Sequence, residues 1–227
     1  MSTEYLSEIG LKNLDYVNTG DILLFKSINH RNSQIVNVGS RSLWTHIGIA
    51  IWETGILKVL ESSFGNNVFD ELTGTFKRGV RKTKITDLVE KYGLIFVRPL
   101  DIVRDSSFYT KLDEFIAIQS GKPYTNFFKI PFIPFLCLED EGIHCAELTA
   151  GYMDYIGLFD SKPSLGQRCK FNFLPADFAP ETEDEQIDSL FKNVPAIIIY
   201  SKSNIENPSL LFIIVTAMVL GALTLIL

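Results

Sequence analysis

The hydrophobic pattern divides the chain into short apolar runs punctuated by turn residues, and it changes character near the end. Gly20 and Asp21 form a turn signal ahead of an apolar run at residues 22–25, which reads as a buried strand. Residues 45–52 (THIGIAIW) alternate in the manner of a half-buried strand. A Glu53-Thr54-Gly55 turn follows, and then a second β-rich run, ILKVLES, at 56–62. Two such runs around a Thr-Gly pair predict a hairpin. Residues 30–43 mix Ile35, Val36 and Val38 with polar groups, consistent with a short helix or an ordered loop. A helix is predicted over 84–92 and a strand over 94–98, ended by Pro99. Residues 106–119 place Phe108, Leu112, Phe115 and Ile116 at helical spacing. A Phe- and Pro-rich loop covers 126–142, a helix is predicted over 145–158 despite Gly151, and 177–188 reads as acidic and polar. A last strand falls at 194–200 before a polar linker. No internal repeat or low-complexity tract is visible.

Residues 210–227 (LLFIIVTAMVLGALTLIL) carry no charge. At about 1.5 Å per residue they would span about 27 Å as a helix, enough to cross a thin hydrocarbon core. A helix buried in a protein core would also be apolar all round, but such helices rarely run this far without a residue more polar than Thr. The reading is a single-pass membrane anchor. The chain opens MSTEYLSEIG, which is not the basic-then-apolar start of a secretory signal. The expectation is therefore insertion after synthesis, with the domain facing the cytosol. A cleaved lipid-anchor signal would need the secretory start that is missing. The predicted organisation is a domain over 1–203, a linker over 204–209 and a transmembrane anchor over 210–227.

The anchor also explains the composition. The chain has 21 basic and 27 acidic residues, a net charge of −6 and 46% hydrophobic residues, yet its mean hydropathy is +0.16. The acidic balance excludes a generic nucleic-acid binder, which would show a basic patch or stripe. Three cysteines are too few for a disulfide scaffold and fit a reducing compartment. A zinc site from Cys137, His144, Cys145 and Cys169 lacks any Cys-x-x-Cys spacing, so neither a metal nor another cofactor is expected.

One constellation carries plausible chemistry. Cys145 stands at the predicted start of a helix, where unpaired backbone N–H groups and the helix dipole favour a thiolate. An ordinary thiol is only slightly ionised at neutral pH and needs a histidine, which in turn needs an orienting acid. His46 lies in an alternating strand and shares its face with Gly48, Ala50 and Trp52, whereas Ile47, Ile49 and Ile51 take the other face. A two-residue Thr54-Gly55 loop pairs Glu53 with Ile56 and puts Gly48 opposite Glu61. Glu61 then falls on the face of His46 at a diagonal position; a three-residue loop would turn it away. Each residue also has a plain structural reading: Cys145 as a small buried hydrophobe, His46 as a hydrogen-bonded strand residue, Glu61 as a strand-end charge. His144 is expected to point away from Cys145, and His30 to be solvated.

In order along the chain, Gly20-Asp21-Ile22, Thr45-His46-Ile47-Gly48, Leu60-Glu61-Ser62, Gly121-Lys122-Pro123-Tyr124 and Cys145-Ala146-Glu147-Leu148 resemble a known family. It is the circularly permuted branch of the NlpC-type papain-like cysteine hydrolases (YiiX-like). The resemblance covers roughly residues 20–200. It implies an α+β, circularly permuted papain-like fold with an antiparallel sheet packed on helices, Cys145 as nucleophile, His46 as base and acid, and Glu61 as orienting group. Ala146 departs from the Ser common in relatives after the nucleophile. The related lecithin:retinol acyltransferase-like branch fits less well, since Lys58 and Glu61 occupy its second-histidine strand and Ala146-Glu147 replaces Glu-His after the nucleophile. Members of the family also occur in large cytoplasmic DNA viruses, where a tail anchor would suit a virion or host membrane.

Three functions follow as expectations. The first is a membrane-anchored thiol hydrolase cleaving an amide bond in a peptide or peptidoglycan-like substrate. The second is a lipid-directed acyl hydrolase or acyltransferase, which the anchor and the Phe127, Phe128, Phe132 and Phe135 loop would bring to bilayer lipids. The third is a non-catalytic membrane-bound structural or interaction protein, with the acidic stretch around 181–188 as a docking face.

Overall fold

The computed structural model describes residues 10–27, 44–65, 67–125 and 142–202. An antiparallel six-stranded sheet forms its centre. The strands are β1 (Ile22–Ser27), β2 (His46–Glu53), β3 (Ile56–Ser63), β6 (Gly79–Lys84), β7 (Tyr92–Arg98) and β8 (Ile197–Ser201), in the order β6-β3-β2-β1-β7-β8. A small ribbon of β4 (Phe69–Asp70) and β5 (Thr75–Phe76) lies outside it. The helices are α1 (Thr86–Val89), α2 (Ser106–Gln119), α3 (Cys145–Tyr155), α4 (Pro163–Gln167) and α5 (Glu185–Asp188). The fold is α+β, as the sequence predicts.

The β2–β3 hairpin has the register that its turn chemistry requires. Glu53 pairs with Ile56, and the ladder runs on to Ile49 opposite Leu60. Thr54 (φ +50°) and Gly55 (φ +75°) both adopt the left-handed conformation of a two-residue hairpin turn. Because strand side chains alternate, each face buries its own cluster. Ile47, Ile49, Ile51 and Leu60 pack with Phe115 of α2 and with Leu148 and Met153 of α3. On the other face Leu23, Phe25, Ala50 and Val59 pack with Val17, Leu88 and Ile95.

Three predicted elements differ. Residues 84–92 are not one helix; they hold the end of β6, the four-residue α1 and Tyr92, the first residue of β7. The helix predicted over 145–158 ends at Tyr155. The acidic stretch 177–188 is folded onto the domain rather than a solvated linker. It contains α5, and Asp188 pairs with Arg98 at 2.6 Å while Asp177 pairs with Arg168 at 2.8 Å.

Asp21, fully buried, explains the turn before β1. One carboxylate oxygen accepts from Leu100 N (2.9 Å) and the other from Asn18 N (2.8 Å), with Arg104 as counter-ion. Gly20 (φ +93°) sits where a Cβ would lie 2.7 Å from Phe108 Cζ, so only glycine admits α2 and α3 this close to the sheet. No helix among the described residues is long and apolar enough to cross a membrane. The predicted anchor, the Phe-rich loop through residue 141, and His30 lie outside the described residues.

Candidate active site

The hairpin register decides which side chains meet. His46 opens β2, and Glu61 lies across the hairpin on the same face. Gly48 stands between them: a Cβ there would come within 2.6 Å of Val59 Cγ1 and 3.5 Å of Glu61 Cβ. Its missing side chain leaves the diagonal open, and Glu61 Oε2 pairs with His46 Nε2 in a buried hydrogen bond.

The other oxygen of Glu61 is held by Arg81 on β6, whose backbone is in register with that of Glu61. Arg81 Nε donates to Oε1 at 2.7 Å, and Nη2 lies 2.6 Å from the same oxygen. Both residues are wholly buried. Arg81 Nη1 also donates to Gly65 O (2.7 Å) and Lys77 O (3.2 Å), so the guanidinium is anchored at both ends. A buried carboxylate with a full set of donors is fixed in direction, which its role toward a histidine demands. Tyr92 lies parallel to the imidazole, with centroids 5.6 Å apart and planes 5° apart, and Phe25 packs on it at 5.5 Å. Three neighbours thus set the ring's position.

Cys145 is the first residue of α3, and its buried side chain lies beside those of His46 and His144. With Nε2 of His46 taken by Glu61, the thiol falls to the Nδ1 side. A run of backbone ties brings α3 to this point. Val80 N donates to Lys122 O (3.0 Å), Ile143 N donates to Pro123 O (2.9 Å), and Ser62 Oγ donates to Ile143 O. Gly79 (φ +104°) makes the first tie possible, because a Cβ there would meet the Pro123 carbonyl carbon at 2.9 Å. That close approach also places Tyr124 beside the site.

His144 is where the structure corrects the sequence reading. It does not point away from Cys145; it caps α3. Its Nδ1 accepts from Glu147 N (3.4 Å), the Glu147 carboxylate accepts from His144 N (3.2 Å), and Nε2 donates to Phe171 O (2.9 Å). This is a capping box with histidine in the position usually held by a small polar residue.

The electrostatics follow from these contacts. Burial disfavours the imidazolium of His46, but Glu61 and Cys145 outweigh it and raise the pKa to about 9. Burial disfavours the thiolate too, yet the charge of His46, with the nearness of both histidines, lowers Cys145 to about 6. Burial opposes ionisation of Glu61, and His46 and then Arg81 overcome it, lowering its pKa to about 2. Between pH 6 and 9 the preferred state is a thiolate–imidazolium pair backed by a carboxylate. The backbone N–H of Cys145 has no acceptor among the described residues.

The structure brings together Cys145, His46 and Glu61, the three residues singled out from sequence. It adds Arg81, Tyr92 and His144. Arg81 leaves no usable signal in a run reading GVRKTK, because an arginine in a basic strand is expected to face solvent. Tyr92 was assigned to a helix. Cys145 is the free cysteine among the described residues. Cys169 is not a free thiol. No group of three or more His, Cys, Asp or Glu among the described residues could hold a metal ion.

These features define an α+β protein with a Cys-His-Glu cluster set between its sheet and a helix start. Among solved structures, the chain is similar to the crystal structure of metalloprotein yiiX from Escherichia coli O157:H7. That match has a TM-score of 0.44 and 15% identity, covering 84% of this chain and 92% of that one. No family model and no curated protein matches the sequence.

Proposed function

We propose that the protein is a cysteine hydrolase of the permuted papain-like type, cleaving an amide bond in a peptide or peptidoglycan-like substrate. The observation that carries this reading is the geometry of Cys145: a buried thiol at a helix start, beside a histidine whose far nitrogen is held by a clamped carboxylate. A structural cysteine needs none of these partners.

The reaction follows from the positions. The Cys145 thiolate attacks the substrate carbonyl carbon and forms a C–S bond. The oxygen that becomes negative meets the Cys145 N–H at the helix start. His46, protonated at rest, gives its proton to the departing nitrogen as the C–N bond breaks, leaving a thioester. Neutral His46 then takes a proton from water, the hydroxide adds to the thioester, and the C–S bond breaks to release the carboxylic acid and return the thiolate beside protonated His46. Glu61 keeps the ring oriented and offsets its charge throughout, and Arg81 keeps Glu61 from turning. Membrane attachment through residues 210–227 belongs to the proposal and rests on their uncharged sequence.

The test is mass spectrometry of Cys145 after brief exposure to peptide and lipid extracts. The expected result is a peptide-derived acyl mass on Cys145 that is absent from Cys145→Ala. A fatty-acyl mass instead would transfer the site to lipid chemistry. No adduct, together with a thiol that resists iodoacetamide at pH 7, would overturn the enzyme reading.

A further inference from the structure

Beside the thiol the site leads to a rim whose positive charges meet no carboxylate among the described residues. Tyr124 lies close enough to Cys145 to feel its charge. Its ring meets Phe64 edge to face at 5.8 Å, and Phe64 is 53% exposed. Over the Phe64 ring, 4.4 Å from its centroid, lies the Arg78 guanidinium. Lys91 reaches the same segment from the turn before β7: its Nζ is 3.4 Å from Ser63 Oγ and 5.3 Å from the Tyr92 ring centroid.

Among the described residues neither Arg78 nor Lys91 has a carboxylate within ion-pair distance, although the chain carries more acids than bases. Their neighbours are treated differently. Lys77, next to Arg78, pairs with Asp70 at 2.9 Å, and Arg81 is committed to Glu61. The Glu61 carboxylate, the acid nearest Lys91 in electrostatic effect, is already engaged by His46 and Arg81. Lys91 is half-buried without an acid partner, an arrangement that costs free energy unless an anion from outside completes it.

We propose that Arg78 and Lys91 form an anion-docking subsite, and that the substrate of the Cys145 centre carries a carboxylate which binds there. This rests on the reading of Cys145 as a nucleophile. Phe64 and Tyr124 form an apolar bridge between thiol and subsite, suited to the hydrocarbon part of an acidic residue. A stacked guanidinium keeps its N–H edge free for the two oxygens of a carboxylate. One guanidinium at Phe64 and one ammonium at Ser63 match a single carboxylate charge better than a phosphate dianion.

Three maleimides of equal reach test this on the full chain: maleimidohexanoate, its uncharged amide, and the analogue ending in a phosphonate. Labelling of Cys145 is followed by peptide mass mapping at pH 7. The carboxylate should react about fivefold faster than the amide, the scale of a partly exposed ion pair. Arg78→Gln, at an exposed position, should lower that ratio, and Arg78→Gln with Lys91→Gln should bring it to about one. Equal rates in the unaltered protein, or a ratio that survives the double substitution, would overturn the subsite. A phosphonate preferred over the carboxylate would overturn the carboxylate assignment. Slow labelling of Cys145 by all three would instead remove the nucleophile reading, and this proposal with it.

Discussion

Replacing Glu61 with glutamine keeps the shape of a buried side chain but removes the charge that faces both Arg81 and His46. The shift of His46 from 6.5 to about 9 is the net of opposing burial and favourable charge, and amounts to about 3 kcal/mol in favour of the imidazolium. Without the Glu61 charge, burial dominates, the imidazolium is lost at neutral pH, and the thiolate loses its counter-charge. The ionisation midpoint of Cys145 should then rise from about 6 by one to two units, toward the ordinary thiol value of about 8.5. Iodoacetamide alkylation followed across pH 5–10 measures this midpoint directly. A rate at one pH is a poorer measure, because a more basic thiolate is also more nucleophilic and masks part of the loss.

The same substitution strands Arg81, which is wholly buried. Breaking a buried pair from one side costs about 3–5 kcal/mol, to be read by urea denaturation. Adding Arg81→Met removes the orphaned charge and should recover most of that stability. The carbonyls of Gly65 and Lys77 would lose a donor, which retains a penalty of about 1–3 kcal/mol. The thiol midpoint should remain high in the double variant. A midpoint still near 6 in Glu61→Gln, or a double variant less stable than the single, would refute the reasoning.

Three further outcomes are expected. Folded, His46 keeps its proton up to about 9 and Cys145 loses its own at about 6, whereas unfolded they titrate near 6.5 and 8.5; from about pH 6.5 to 8.5 both states therefore hold one proton on the pair, so the stability difference between the unaltered protein and His46→Gln should be flat there, and a steady change in urea titrations over that window would contradict it. His144→Ala should cost about 1 kcal/mol as a lost helix cap, read by urea unfolding, while His144→Asn, whose side chain can still accept from Glu147 N, should recover most of it; equal losses in the two variants would contradict the capping role. Gly79→Ala forces a side chain at φ +104° against the Lys122–Pro123 backbone; the expected cost is about 1–3 kcal/mol in thermal or urea unfolding, with a fall in kcat/KM as Tyr124 shifts.

The parts of this structure legible in the sequence were those governed by local rules. A Thr-Gly turn fixes hairpin register, and register fixes faces, so Glu61 could be placed on the face of His46 without any knowledge of the rest of the fold. Residues 106–119 were equally plain, since Phe108, Leu112, Phe115 and Ile116 trace one helical stripe. What escaped depends on distant partners. Arg81, Lys82 and Lys84 make β6 look solvated, and only the Glu61 carboxylate across the sheet explains why Arg81 is inside. Tyr92 looked like the end of a helix because Leu88 and Val89 precede it at helical spacing, whereas the chain makes one turn and extends. Adjacent side chains usually diverge, so the sequence separates His144 from Cys145; the cap geometry brings its ring back over the first turn.

The ties around Ile143 have a consequence for what holds the thiol in place. Pro123 and Ile143 are joined by a backbone hydrogen bond, and Gly142 lies so near Thr125 that a Cβ would be 2.8 Å from its nitrogen. Ser62 holds the same point to the sheet. These ties join two points far apart in the chain to one strand, so the thiol's register with His46 is set by the backbone at Pro123 and Ile143 and not by the helix alone.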